Sequence, residues 1–146
     1  MIANRSVPTD IVLPHLAYQD VAVAADWLTQ VFGFIEHYRY GTPVAGVQMY
    51  AGRALIMLME ARGAPSPAQL PSRLYATSIF VDEVEIHYAR SMAKNADIVE
   101  ALHETGYGEL QYGVKDLDGH LWIFSRHARD VAPEEWGARV NRMEPG

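Results

Sequence analysis

The chain has 146 residues, 49% of them hydrophobic, which is the length of one domain with enough apolar side chains to bury a sizeable core. Twelve Lys and Arg against eighteen Asp and Glu leave a formal net charge of -6, which excludes the broad positive field that nucleic acid binding demands. The absence of cysteine excludes a disulfide framework, a thiolate nucleophile and a Cys-based zinc site, and it suits a cytoplasmic location. Residues 1–6 lack the apolar stretch of a signal peptide. The longest apolar run, 54–59, is far short of the roughly 20 residues that span a bilayer, so no membrane partner is expected.

After a polar lead-in, residues 11–18 read as a short apolar strand, and Pro14 within it marks an edge position because it cannot donate to a ladder. Asp20 stands as N-cap ahead of Val21, Ala24, Trp27, Leu28, Val31 and Phe32, whose spacing by threes and fours predicts an amphipathic helix that Gly33 stops. Strands follow at 34–40, 47–50 and 54–59, separated by the turns Gly41-Thr42-Pro43 and Ala51-Gly52-Arg53. Residues 61–73, with Gly63, Pro65, Pro67 and Pro71, read as a linker. The order then repeats. A strand at 74–81 leads to a predicted capping box of Asp82 and Glu85, a helix over about 83–94, short strands near 98–100 and 110–115, the turn Asp116-Leu117-Asp118-Gly119 and a strand at 120–125. Asp20 and Asp82 are 62 apart (82 - 20), as are Gly33 and Asn95 (95 - 33), the two residues tolerant of left-handed backbone that stop the helices. A duplicated unit is the economical explanation: unit one over about 11–60, unit two over about 74–127, and a tail over 128–146 in which Pro133 and two acids open a short helix.

The run Pro14-x-Leu16-x-Tyr18-x-Asp20, followed by Ala25-x-Trp27-Leu28 and Phe32-Gly33-Phe34, resembles the first strand and helix of the vicinal oxygen chelate superfamily, which includes glyoxalase I, bleomycin-resistance proteins and extradiol dioxygenases. Tyr112-Gly113-x-x-Asp116-x-Asp118-Gly119-His120-x-Trp122-x-Phe124 resembles its closing hairpin, with Leu117 where the family usually carries proline. The resemblance implies a single α+β domain of two tandem βαβββ units whose curved mixed sheet surrounds a cavity, and it implies a homodimer. It also implies four inward metal-ligand positions, which here fall on Leu13, Met57, Ala76 and Ile123. All four are apolar, whereas a divalent ion needs about three or more N or O ligands, so no metal and no other cofactor is expected.

Strand alternation carries the cavity-facing side from those four positions to His15, Met59, Ser78, Phe80, Leu121 and Ser125. The set expected to contact a ligand is Leu13, His15, Met57, Met59, Ala76, Ser78, Ile123 and Ser125, an apolar lining with a few polar groups that suits a small hydrophobic or aromatic molecule. His15 is the first candidate for a ligand contact or a base. His120 and His127 read as surface residues, His87 as part of a solvated helix face, and His103-Glu104 as a polar loop near the cavity mouth. Trp27 and Trp122 read as core, and Asp116 and Asp118 as ordinary turn chemistry. The expected function is therefore metal-free small-molecule binding of the bleomycin-resistance kind. The alternative is a lyase, dioxygenase or acid/base enzyme of the same superfamily with its metal or base at shifted positions.

Overall fold

A computed structural model describes residues 3–6, 12–69 and 75–141. They form two four-stranded mixed sheets, each carrying one helix, without closing into a barrel. Unit one contains β1 (His15–Tyr18), α1 (Val21–Phe32), β2 (Ile35–Tyr40), β3 (Gly46–Ala51) and β4 (Ala54–Glu60), in the sheet order β1-β4-β3-β2. Unit two contains β5 (Ala76–Phe80), α2 (Val84–Ala93), β6 (Asp97–Glu104), β7 (Glu109–Lys115) and β8 (Leu121–His127), in the order β5-β8-β7-β6. In each sheet the first strand runs parallel to the fourth and the remaining pairs are antiparallel, so the two units repeat one topology. Among the described residues no helix is long and apolar enough to cross a membrane.

Local chemistry explains most boundaries. The Asp20 side chain accepts a hydrogen bond from the Val23 amide at 3.1 Å, and Gly33 closes α1 at φ 74°, a left-handed conformation that glycine adopts without strain. Asn95 takes the same role after α2 at φ 58°. Arg90 of α2 donates to the carbonyls of Thr29 and Gln30, so a cation from one unit meets the negative end of the other unit's helix. Pro14 precedes the edge strand β1 and its carbonyl accepts from the Met57 amide at 2.8 Å.

The structure corrects several expectations. Regular strand structure in β1 begins at His15, which leaves Leu13 ahead of it; Ile11, Leu74 and linker residues 70–73 lie outside the described residues. Among the described residues the linker holds one 3-10 turn, Pro67–Gln69, and a second 3-10 turn, Pro133–Trp136, stands where the tail helix is expected. Asp82 does not cap α2. Glu83 occupies the N-cap with no side-chain bond, and Glu85 is drawn instead to Arg126 of β8 at 2.9 Å. His103 and Glu104 belong to β6, not to a loop.

One hydrophobic core joins the helix-bearing sides of both sheets. It contains Leu16, Tyr18, Ile56 and Leu58 of unit one together with Ile79, Tyr112, Val114, Trp122 and Phe124 of unit two. Phe32, the last residue of α1, lies edge-on to both Trp122 and Phe124, with centroids 5.9 and 4.9 Å away. Trp122 is buried in this core as expected, whereas Trp27 is half-buried and packs edge-on against Phe32 at its margin.

Two polar clusters cross this seam, and both involve residues that the sequence reading assigns elsewhere. His120 is half-buried; its Nε2 donates to the Ala17 carbonyl at 2.7 Å and its ring tilts against Tyr18. Asp116 is buried and satisfies four donors. Oδ2 accepts from the Tyr18 hydroxyl at 2.6 Å and from Trp122 Nε1 at 3.0 Å, while Oδ1 accepts from the amides of Asp118 and His120. Burial and the adjacent Asp116 carboxylate hold the Tyr18 phenol well above its ordinary pKa, so it remains a donor. His87 is also largely buried, not solvated. Its Nε2 donates to the Phe32 carbonyl at 3.0 Å and its Nδ1 accepts from the Tyr112 hydroxyl, which also meets Ser91.

Two predictions follow from this seam. Burial lowers the His87 pKa from 6.5 to about 4, so the unfolded chain binds a proton that the folded chain refuses between those values. The His87 contribution is complete above about pH 6.5 and is lost as pH falls toward 4, by up to about 3 kcal/mol. Urea denaturation across this range should show a steeper acid loss in wild type than in His87→Gln. Parallel profiles would contradict the assignment. Tyr18→Phe, which removes one donor from a buried carboxylate, should cost about 1–3 kcal/mol, and Asp116→Ala, which strands both Tyr18 and Trp122, should cost more. Chemical denaturation measures both, and a neutral Asp116→Ala would refute the clasp.

Candidate ligand-binding faces

Residues directly opposite one another in a sheet share a face, so register defines the surface away from the helices. In unit one, His15, Met57, Gln48 and Tyr38 form a row across all four strands, and Ala17, Met59, Gly46 and Tyr40 form the next. In unit two the corresponding rows are Ser78, Ile123, Gly113 and Glu100, then Phe80, Ser125, Gln111 and His103. Ala76 and Leu121 share a third row.

Six of the eight expected ligand contacts therefore fall into three cross-strand neighbourhoods: His15 with Met57 and nearby Met59, Ser78 with Ile123, and Ser125 one row beyond. His15, Met59, Ala76 and Ser78 are exposed, Leu13, Met57 and Ile123 are half-buried, and Ser125 is buried. Register links these residues within each sheet. The inter-unit hydrogen bonds and ring contacts come instead from helix-side residues, strand ends and turns, so each face presents its apolar side chains outward. Phe80 is 63% exposed and Met59 39%.

The faces also carry polar groups that alternation alone missed. A bulge in β2 between Glu36 and Tyr38 turns His37 toward β3, where its Nδ1 donates to Gln48 Oε1 at 2.6 Å and its ring lies against Tyr50. In unit two Gln111 Nε2 donates to Glu100 Oε1 at 3.1 Å, and Gln111 Oε1 accepts from the Tyr107 hydroxyl at 3.0 Å. His103 donates from Nδ1 to the Ala101 carbonyl and holds Nε2 3.3 Å from Glu100, while exposed His127 pairs with Glu109 at 3.0 Å. The sequence signal was available: Gln48 and Gln111 are lone amides between apolar neighbours, each 11 residues after its partner (48 - 37 and 111 - 100).

Gly113 lies between Ile123 and Glu100, and a Cβ there would approach both at 3.2–3.3 Å. Its backbone is not left-handed, so the constraint is space: a bare backbone forms the floor of the face at this point. A separate depression of about 350 Å³ lies at the N-terminus of α2, lined by Asp82, Glu83, Glu85, Ile86 and Arg126, away from both faces.

Leu13, Met57, Ala76 and Ile123, the positions that the resemblance assigns to metal ligands, carry hydrocarbon and one thioether, and among the described residues no three His, Cys, Asp or Glu side chains group to hold an ion.

Comparison with known proteins agrees with the fold. Residues 10–124 match the model of the Glyoxalase/Bleomycin resistance protein/Dioxygenase superfamily. TioX from Micromonospora sp. ML1 is 33% identical with a TM-score of 0.68, over 82% of this chain and 99% of that one. A lactoylglutathione lyase from Agrobacterium tumefaciens is 19% identical with a TM-score of 0.62, over 90% and 98%, which is likeness of fold alone. An uncharacterised protein of Mycobacterium bovis is 25% identical over 91% of this chain and 93% of its own length. The chain belongs to the glyoxalase/bleomycin resistance protein/dioxygenase superfamily.

Proposed function

We propose that the protein is a metal-free, cytoplasmic binder of a small hydrophobic or aromatic molecule, acting as a homodimer. The observation that carries this reading is the chemistry of Leu13, Met57, Ala76 and Ile123, which stand where the family places metal ligands and offer none to a hard or borderline ion. The rows around them supply apolar area, adaptable methionines and a few polar groups, the usual composition of a small-molecule site. An acid/base reaction centred on His15 has less support, because no side chain among the described residues bonds its ring to orient it.

The homodimer rests on a requirement of burial. A small-molecule site encloses most of its ligand, and one open sheet face supplies a single wall. A second copy placing its unit-two face over the unit-one face of the first would supply the other wall and cover Met59 and Phe80.

Elemental analysis of dialysed protein should find no stoichiometric nickel, zinc, manganese or iron; close to one ion per chain would overturn the metal-free reading. A thermal-shift screen of aromatic compounds should yield stabilising ligands whose effect weakens in His15→Ala, and identical responses to every hit would place the site elsewhere. Light scattering at tens of micromolar should report twice the chain mass. The mass of one chain would contradict the two-walled site.

A further inference from the structure

We infer that Gln48 donates a hydrogen bond to the bound molecule, so that the ligand of the unit-one face carries a carbonyl or similar acceptor on its apolar body. This rests on the proposed binding function and specifies the chemistry of its ligand.

Gln48 is fully buried at the centre of the row His15, Met57, Gln48 and Tyr38. An amide head has an acceptor and a donor to satisfy, and only one is engaged. Oε1 accepts from His37 Nδ1 at 2.6 Å, while Nε2 has no partner among the described residues. This pairing belongs to the His37 tautomer that carries its proton on Nδ1; with the proton on the other ring nitrogen the amide would turn over and Oε1 would be the free end. Native proteins rarely leave a buried polar group unpaired, since the group loses its water without replacement.

A second buried glutamine, on the unit-two face one row beyond the row that matches Gln48, sharpens the contrast. Gln111 lies 63 residues on (111 - 48) and likewise takes a partner 11 residues earlier, but both ends of its amide are engaged, by Glu100 and Tyr107. Gln111 shows how the chain alone can satisfy both ends of a buried glutamine amide. In unit one the bulge in β2 brings His37 to Oε1 and leaves Nε2 uncommitted, with half-buried Met57 as its flexible cross-strand neighbour on β4.

The test uses 6-propionyl-2-dimethylaminonaphthalene and its analogue with propyl in place of propionyl, two planar fluorescent molecules that differ at one carbonyl. In wild type the ketone should bind roughly tenfold tighter than the alkyl analogue. Gln48→Leu should reduce the ketone to the level of the analogue, leave the analogue unchanged, and not lower the melting temperature. Equal affinities in wild type, or a parallel loss of both probes in Gln48→Leu, would overturn the inference while leaving apolar binding intact. Failure of both probes to bind wild type would count against the binding function and this inference together.

Discussion

The buried carboxylate of Asp116 sets the relation between the two units. It sits at the end of β7, takes the Trp122 indole from its own unit and the Tyr18 hydroxyl from the other, and shapes the turn into β8 through two backbone amides. A buried carboxylate is tolerable only when its lone pairs are occupied, and here four donors occupy them. Burial still pushes its carboxyl above the ordinary range, against the pull of Tyr18 and Trp122. With the end of β1 held against the closing hairpin, Phe32 reaches Trp122 and Phe124, His87 reaches the Phe32 carbonyl, and Arg90 reaches the end of α1.

This arrangement has a direct consequence for function. The helix-bearing sides of both sheets are consumed by one core, which leaves their opposite faces available to a ligand or a partner. The two faces differ in chemistry. Unit one presents two methionines, His15 and the half-satisfied Gln48, whereas unit two presents Ile123 over bare Gly113, with Gln111 bridging Glu100 and Tyr107. A duplicated unit has diverged so that one copy offers adaptable apolar surface with an uncommitted amide and the other a rigid, internally satisfied network.

Much of this was legible in the sequence where the determining chemistry is local. Asp20 and Gly33 bound α1 because a cap and a left-handed stop each depend on a few residues. The resemblance supplied Leu13, Met57, Ala76 and Ile123, and alternation carried their side of the strands to His15, Met59, Ser78 and Ser125, because side-chain direction has a period of two along a strand. What escaped was non-local. Asp116 shows ordinary turn spacing, and its second role depends on Tyr18, 98 residues away. Asp82 and Glu85 match a capping box, but Glu85 finds Arg126, 41 residues on, and the box does not form. His37 was missed because a bulge breaks the period of two, and His87 because its helix face, flanked by Glu83 and Glu85, is covered by the other unit.

The methionines allow the central claim, that the faces away from the core bind the ligand, to be tested in one spectrum. Met57 and Met59 lie on the unit-one face, Met49 is buried on the helix side of the same sheet, and Met92 is exposed on α2. Protein carrying carbon-13 methyl-labelled methionine, titrated with the naphthalene ketone, should show saturable shifts at Met57 and Met59 with Met49 and Met92 unmoved. Shifts at Met92 or Met49 with Met57 and Met59 unchanged would contradict the account.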